Sequence, residues 1–382
     1  MRILILSCNT GGGHNACSTA ICEAFAKKGI SCTSIDALEL ISKRTSSFMS
    51  NGHSWVYRHC PRLFSKGYAH ADKKRSSFSE DTAAYRFFAK ATPELYKCIV
   101  RGGYDTVICA HVFTALMLTD MQKKYNLPIF SAFFATDYTC SPSCDQSNLD
   151  LYFIPDKSLT EEFVGYGIAS EKLIATGIPT KSAFFERRDK REAKTAMGVK
   201  EDHAHLVMMS GSMGCGPMKK LTKLLADSML YTQELTVVCG TNKALFVELS
   251  DIYENDARIH IRGFVTDVSL LLDSADLYLT KPGGISVTEA TVKGVPMVLL
   301  NAVAGCEEYN MNFFLERGCA VTGKDIREVS EKAVSLLSDE VALHKMRKAM
   351  DLLDYAPAAE RIRDNIIAYK GEKDSHAYIH SV

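Results

Sequence analysis

Two successive runs of strand–helix alternation constrain this chain more than any other feature. In the first run, the apolar or β-branched segments 2–7, 31–36, 104–109, 128–135, 151–154 and 173–175 read as strands. Helical text lies between them at 16–28, 81–101 and 114–125. A second run begins after residue 200, with strands at 205–210, 235–239, 258–261, 276–280, 296–300 and 319–322. Between the two runs, GIPTKSAFFERRDKREAK reads as a polar connection without strand character. Such alternation implies parallel sheets covered by helices on both faces. The expectation is an α/β chain of two doubly wound, Rossmann-like domains facing across a cleft, with the ligand at the carboxyl ends of the strands. Tyr355-Ala356-Pro357 breaks the last helical region, residues 358–369 can form one more helix, and the tail GEKDSHAYIHSV is expected to be loose.

Composition narrows the function classes. The 382 residues suffice for two cores, and the 45 basic and 45 acidic side chains cancel. No global field then favours nucleic acid or a membrane, so any electrostatic targeting must be local. The thirteen cysteines include no C-x-x-C, and Cys140-x-x-x-Cys144 lacks the second pair a zinc site needs. They are expected to act as small core residues in a reducing cytoplasm. The start, MRILILSCNT, turns polar too soon for a signal peptide, and no apolar run reaches the roughly 18 residues that span a bilayer.

Four glycine-rich turns follow strands. In SCNTGGGHNA (7–16), Gly11-x-Gly13-x-x-Ala16 fits a dinucleotide fingerprint, with Asp36 about twenty residues on. His14 fits that reading poorly, because it stands where backbone should approach a pyrophosphate. A histidine held at the mouth of a helix suits proton transfer, and a solvated helix-start histidine is the alternative. In the second half, SGSMGCGPM (210–218) runs G-x-x-G-x-G, an order unlike the dinucleotide turn but able to offer N–H groups to phosphate. GFV (263–265) follows RIHI. In TKPGGISVTEA (280–290), Pro282 ends the strand, Gly283 and Gly284 expose N–H groups, and Glu289 can accept two hydrogen bonds from ribose hydroxyls or cap the helix.

TKPGGISVTEATVKGVPMVL, AGCEEYNMNFFLERGCAV, SGSMGCGPM and GGGH together resemble the processive diacylglycerol glucosyltransferases of bacteria and the plant monogalactosyldiacylglycerol synthases, over about residues 2–370. The resemblance implies a GT-B fold, with an acceptor domain of residues 1–178 on which 356–370 pack back, and a donor domain of 179–355. It also implies an inverting, metal-independent transfer of a hexose from a UDP-sugar to diacylglycerol or a glycosyl-diacylglycerol, with no cofactor. The absence of a D-x-D motif agrees. By position, His14 matches the proposed base and Asp137, in FATDYTC, an acidic residue that would orient His14 or an acceptor hydroxyl, a turn-stabilising Asp being the alternative. Gly263, Phe264 and Val265 match the uracil-reading turn, and Glu289 the ribose-binding glutamate. Gly211, Ser212, Met213 and Gly214, with Gly283, Gly284 and Ile285, match the diphosphate loops. Cys306, Glu307 and Asn310 fall in the segment that faces the donor sugar. Gly305-Cys306-Glu307 stands where the family usually has G-Q-E, and a cysteine cannot hold sugar hydroxyls as an amide does.

A lipid acceptor requires docking on an anionic membrane surface, expected through residues 43–75 and on the inner face of the cell membrane. Residues 40–71 contain no Asp or Glu but carry Lys43, Arg44, Arg58, Arg62 and Lys66. Trp55, Tyr57, Phe64 and Tyr68 lie among them. Aromatics beside cations suit the headgroup layer; the alternative is a solvated basic helix with Trp55 in the core. Two other function classes stay open: a UDP-sugar sensor with little turnover, and a UDP-sugar 2-epimerase on the same fold.

Overall fold

In β1 (Arg2–Ser7), Ile3, Leu4, Ile5 and Leu6 are all fully buried, although alternate side chains point to opposite faces. A strand buried on both faces belongs to a parallel sheet with helices on either side. The computed structural model, which describes residues 1–8, 12–42, 82–302 and 305–379, contains two such sheets. Each lies in its own compact unit, one formed by residues 1–182 with the segment from Ala356 onward, the other by Ala183–Tyr355.

The first sheet adds β2 (Ser31–Asp36), β3 (Thr106–Cys109), β4 (Phe130–Phe134), β5 (Leu151–Ile154) and β6 (Leu173–Ala175), in the order β2-β1-β3-β4-β5-β6. All of its pairings are parallel. The second comprises β7 (Ala204–Met209), β8 (Gln233–Val238), β9 (Ile259–Arg262), β10 (Leu277–Thr280), β11 (Met297–Leu299) and β12 (Ala320–Thr322), in the order β12-β11-β10-β7-β8-β9. Its pairings are parallel too. Winding reverses between β1 and β3 in the first unit and between β7 and β10 in the second. At such a reversal the loops leaving two adjacent strands diverge, and a crevice opens at their carboxyl ends.

Three stretches differ from the sequence expectation. The helical text 81–101 divides into Ala83–Phe88, a 3₁₀ turn and Thr92–Gly102, with Pro93 in the first turn of the second helix, where its missing N–H costs nothing. The polar connection contains a helix, Lys190–Met197, because the Asp189 carboxylate accepts from the N–H groups of Arg191 and Glu192. The tail is not a loose end after residue 370, since the last helix runs Ala358–Ile379. That helix belongs to the first unit. Lys27 bonds Glu360 at 3.0 Å, the Arg363 guanidinium donates to the Ala24 carbonyl at 3.1 Å, and Lys370 bonds Asp105 at 2.6 Å. The stretch 43–75 lies outside the described residues.

The β7–β10 pair is locked at the end away from its loops. Asp276 accepts from the His205 N–H at 2.9 Å, and its own N–H donates to the His205 carbonyl at 2.8 Å. Lys190 and Lys194 each bond its carboxylate at 2.8 Å. Burial pushes this carboxyl up, but the two ammonium groups outweigh burial and bring it to about 2. A carboxyl held below its unfolded value stabilises the fold above that value and loses the contribution as pH falls through the folded one. Asp276→Asn should therefore lower stability by about 2–4 kcal/mol at pH 7, and the wild-type advantage should fade between about pH 4 and pH 2. Urea titrations of both proteins across that range check it.

Candidate active site

In the first unit the reversal brings the ends of β1, β3 and β4 together around one histidine. His14 lies in the first turn of the helix Gly12–Ala26, where Asn15 accepts a 2.8 Å bond from the Ser7 hydroxyl. His14 Nδ1 sits 2.8 Å from the Ala110 carbonyl oxygen, just past β3. A carbonyl only accepts, so Nδ1 carries the proton and a neutral ring keeps its lone pair on Nε2. Burial pulls the His14 pKa below its ordinary value of 6.5, against the opposing pull of Asp137 and the Ala110 carbonyl. The ring is then neutral at pH 7, with the tautomer that accepts a proton at Nε2.

Neighbours complete the setting. The Thr136 hydroxyl lies 3.4 Å from His14 Nδ1 and 3.3 Å from the Asp137 carboxylate. Asp137 thus reaches His14 through charge and through Thr136. The His111 ring stands edge-on to His14 at 4.9 Å, and its Nδ1 accepts from the Phe113 N–H, capping the helix Val112–Tyr125. Sequence reasoning missed His111, Ala110 and Thr136. A sequence signal existed for His111: it directly follows TVICA, a buried strand, and opens a helix.

In the second unit three turns are knitted through their backbones. Gly211, Gly214 and Gly216 all have positive φ. A Cβ on Gly214 would fall 2.1 Å from the Cys239 carbonyl oxygen, and one on Gly240 would fall 2.2 Å from that of Ser212. Only glycine permits this approach. The Thr241 N–H then donates to the Ser212 carbonyl at 2.9 Å, and the Gly240 N–H to that of Gly263 at 3.2 Å. The turn after β7 therefore lies against the turn after β8, and that in turn against the turn after β9. Ser212 is exposed and Met213 half-buried. Phe264 stands 62 % exposed beside the half-buried Val265.

The turn after β10 is fastened to β7 by the Thr280 hydroxyl, which donates to the Met209 carbonyl at 2.7 Å. Gly283 caps the helix Gly284–Lys293 without a side chain, leaving first-turn N–H groups such as those of Gly284 and Ile285 outside the helical ladder. Glu289 is half-buried in the second turn of that helix. Cys306 opens the helix Cys306–Glu316 and is half-exposed. Two further residues of this helix bond the turn. Asn310, fully buried, donates to the Pro282 carbonyl at 3.0 Å, and Glu307, nearly buried, bonds Lys281 at 2.9 Å. The structure thus gathers His14 and Asp137 in one unit and the remaining sequence-identified residues in the other. Among the described residues, no group of three or more His, Cys, Asp or Glu is placed to hold a metal ion. None of their helices is long and apolar enough to cross a membrane.

Comparison with known proteins matches two families along the chain. Residues 14–180 match the monogalactosyldiacylglycerol (MGDG) synthase family, and residues 218–351 match glycosyl transferases group 1. The processive diacylglycerol beta-glucosyltransferase of Bacillus subtilis (strain 168) is 27 % identical over 374 residues, covering 96 % of this chain and 94 % of that one. Its Bacillus licheniformis counterpart is 28 % identical over 376 residues, with the same coverages. Among solved structures, S. aureus MnaA with UDP superposes with a TM-score of 0.64 at 17 % identity, covering 97 % of both chains. CalG4, the calicheamicin glycosyltransferase, gives 0.66 at 12 % identity, covering 97 % of this chain and 99 % of that one. Such structural likeness fixes the fold as GT-B.

Proposed function

For a chain that is a glycosyltransferase of the GT-B fold, with an MGDG synthase domain followed by a group 1 glycosyl transferase domain, we propose an inverting, metal-independent transfer of a hexose from a UDP-sugar to diacylglycerol or a glycosyl-diacylglycerol. The observation that carries the reading is the His14–Ala110 hydrogen bond, which leaves Nε2 as a lone pair on a neutral ring. The acceptor hydroxyl gives its proton to Nε2 while its oxygen attacks the anomeric carbon. The bond from that carbon to the UDP oxygen breaks, and inversion follows from the single displacement. N–H groups at the 211–216 turn and at the start of Gly284–Lys293 take up the negative charge of departing UDP. Glu289 accepts from the ribose hydroxyls, and the turn at Gly263, Phe264 and Val265 receives the uracil.

The acceptor named for the Bacillus relatives is a lipid, so we extend the proposal to a peripheral site on the inner face of the cell membrane, reached through the cations and aromatics of residues 43–75. The decisive experiment offers a panel of UDP-sugars with diacylglycerol in anionic or neutral vesicles and reads the lipid by mass spectrometry. A lipid hexoside should form, faster on anionic vesicles. Changing Arg58, Arg62 and Lys66 together to glutamate should remove the preference, since each cation near such a surface is worth about 1 kcal/mol. Free or epimerised sugar without lipid product would instead identify a 2-epimerase, and neither product a sensor.

His14→Ala should lower transfer by roughly 10²–10⁴-fold while leaving UDP affinity unchanged. Because burial depresses the His14 pKa, protonation should silence the wild-type enzyme only below pH 6.5, giving an acid limb that the variant lacks. Initial rates from pH 5 to 8, with calorimetry of UDP binding, check both statements. Glu289→Ala should weaken UDP by roughly 10–150-fold, the worth of charge-assisted hydrogen bonds to ribose. The same calorimetry reads it without any acceptor, and an unchanged dissociation constant would make Glu289 a helix-stabilising residue only.

A further inference from the structure

One side chain reaches both glycine turns assigned to the donor diphosphate. A Cβ built on Gly211, after β7, falls 3.0 Å from Cε of Lys281 and 4.0 Å from its Nζ. A Cβ built on Gly283, after β10, falls 3.7 Å from Cε and 4.0 Å from Nζ of the same lysine. The ammonium group therefore stands where the two loops diverge, at the reversal of the sheet. Its side chain is only 24 % exposed and is pinned by Glu307, itself 8 % exposed, at 2.9 Å. The turn does not need the lysine side chain for its closure. The Gly283 N–H closes it on the Lys281 backbone carbonyl, and Asn310 holds the Pro282 carbonyl.

We infer that Lys281 is a diphosphate-binding residue, placed by Glu307 to put a full positive charge on departing UDP; the inference rests on the UDP-sugar reading above. The chemistry calls for such a group. The bond that breaks leaves its electron pair on a phosphate oxygen, and backbone N–H groups offer only partial charges. An ammonium adds a unit charge and several donors at one point. Holding it beforehand removes the cost of freezing a long side chain when UDP arrives. Glu307 fits this positioning role. It is buried, sits in the first turn of Cys306–Glu316, and is joined to the turn by both its own bond and that of Asn310. The segment around Gly305-Cys306-Glu307 then touches the donor through Lys281 rather than through the Glu307 carboxylate.

The test compares UDP with uridine, which shares the base and ribose but lacks phosphate. Lys281→Met alone would take the ammonium away from the buried Glu307 carboxylate, so the main variant is Lys281→Met with Glu307→Gln, which removes both charges. Its melting temperature is measured first, beside the wild type and Glu307→Gln alone. By calorimetry the double variant should bind UDP roughly 10–100-fold more weakly, and uridine within about twofold of wild type. Glu307→Gln alone should weaken UDP by less than the double variant, because the cation remains but is no longer held in place, and should leave uridine within about twofold of wild type. UDP affinity unchanged in the double variant would overturn the inference. Equal losses for UDP and uridine would overturn it too, by making the pair a prop for the whole site. A wild-type protein that binds neither compound would instead remove the donor-site reading, and the inference with it.

Discussion

Parallel pairing at the centre of each sheet is the constraint on which the site residues depend. β1 beside β3, and β7 beside β10, are neighbours in space but not in sequence order. Their following loops must therefore part, and the backbone at their carboxyl ends is left with groups that no helix or strand covers. His14 and Ala110 come from the first such pair. Gly211 and Lys281 come from the second. The opposite end of the second pair is closed by Asp276 and its two lysines, so β7 and β10 are tied below and open above.

The two units handle charge differently, as their proposed roles require. Around His14, burial keeps a titratable ring neutral and a carbonyl acceptor chooses which nitrogen is free. A proton acceptor needs that state, and a nearby Asp137 moderates the cost without reversing it. In the second unit the turns are held by backbone bonds that demand glycine at 214 and 240. Their N–H groups supply partial positive charge, with Lys281 adding a cation between the two turns after β7 and β10. Turns tied in this way are shaped before ligand arrives, which suits the proposed binding of a leaving group whose charge grows during the reaction.

Much of this was readable from the chain. Strand 151–154 stands where its apolar text placed it, because burial on both faces leaves an unbroken hydrophobic run, and 173–175 follows as the partly exposed edge strand. The glycine turns were visible because backbone that must approach backbone admits no side chain. Helix ends were less legible. The helix after Asp189 turns on a single capping group, whose effect is about 1 kcal/mol and easily lost in a periodicity, and the helix at Thr92 restarts at Pro93 without a side-chain cap. Cys306 follows the left-handed Gly305, a helix start that composition alone does not reveal.

The sequence by itself determined the architecture and the residue types at each turn. Periodicity, strand text and glycine placement are local properties, carried by neighbours in the chain. What only the tertiary structure decided is which distant groups meet. The Ala110 carbonyl lies 96 residues from His14 and selects its tautomer. Glu307 lies 26 residues from Lys281 and fixes its ammonium. Asn310 and Glu307, which the sequence puts in the segment facing the donor sugar, also bond Pro282 and Lys281 within the protein. The reason is that protonation state, tautomer and ion pairing follow from burial and from contacts a few ångströms long. Parallel strand order creates those contacts between segments far apart in sequence, and no local pattern encodes them.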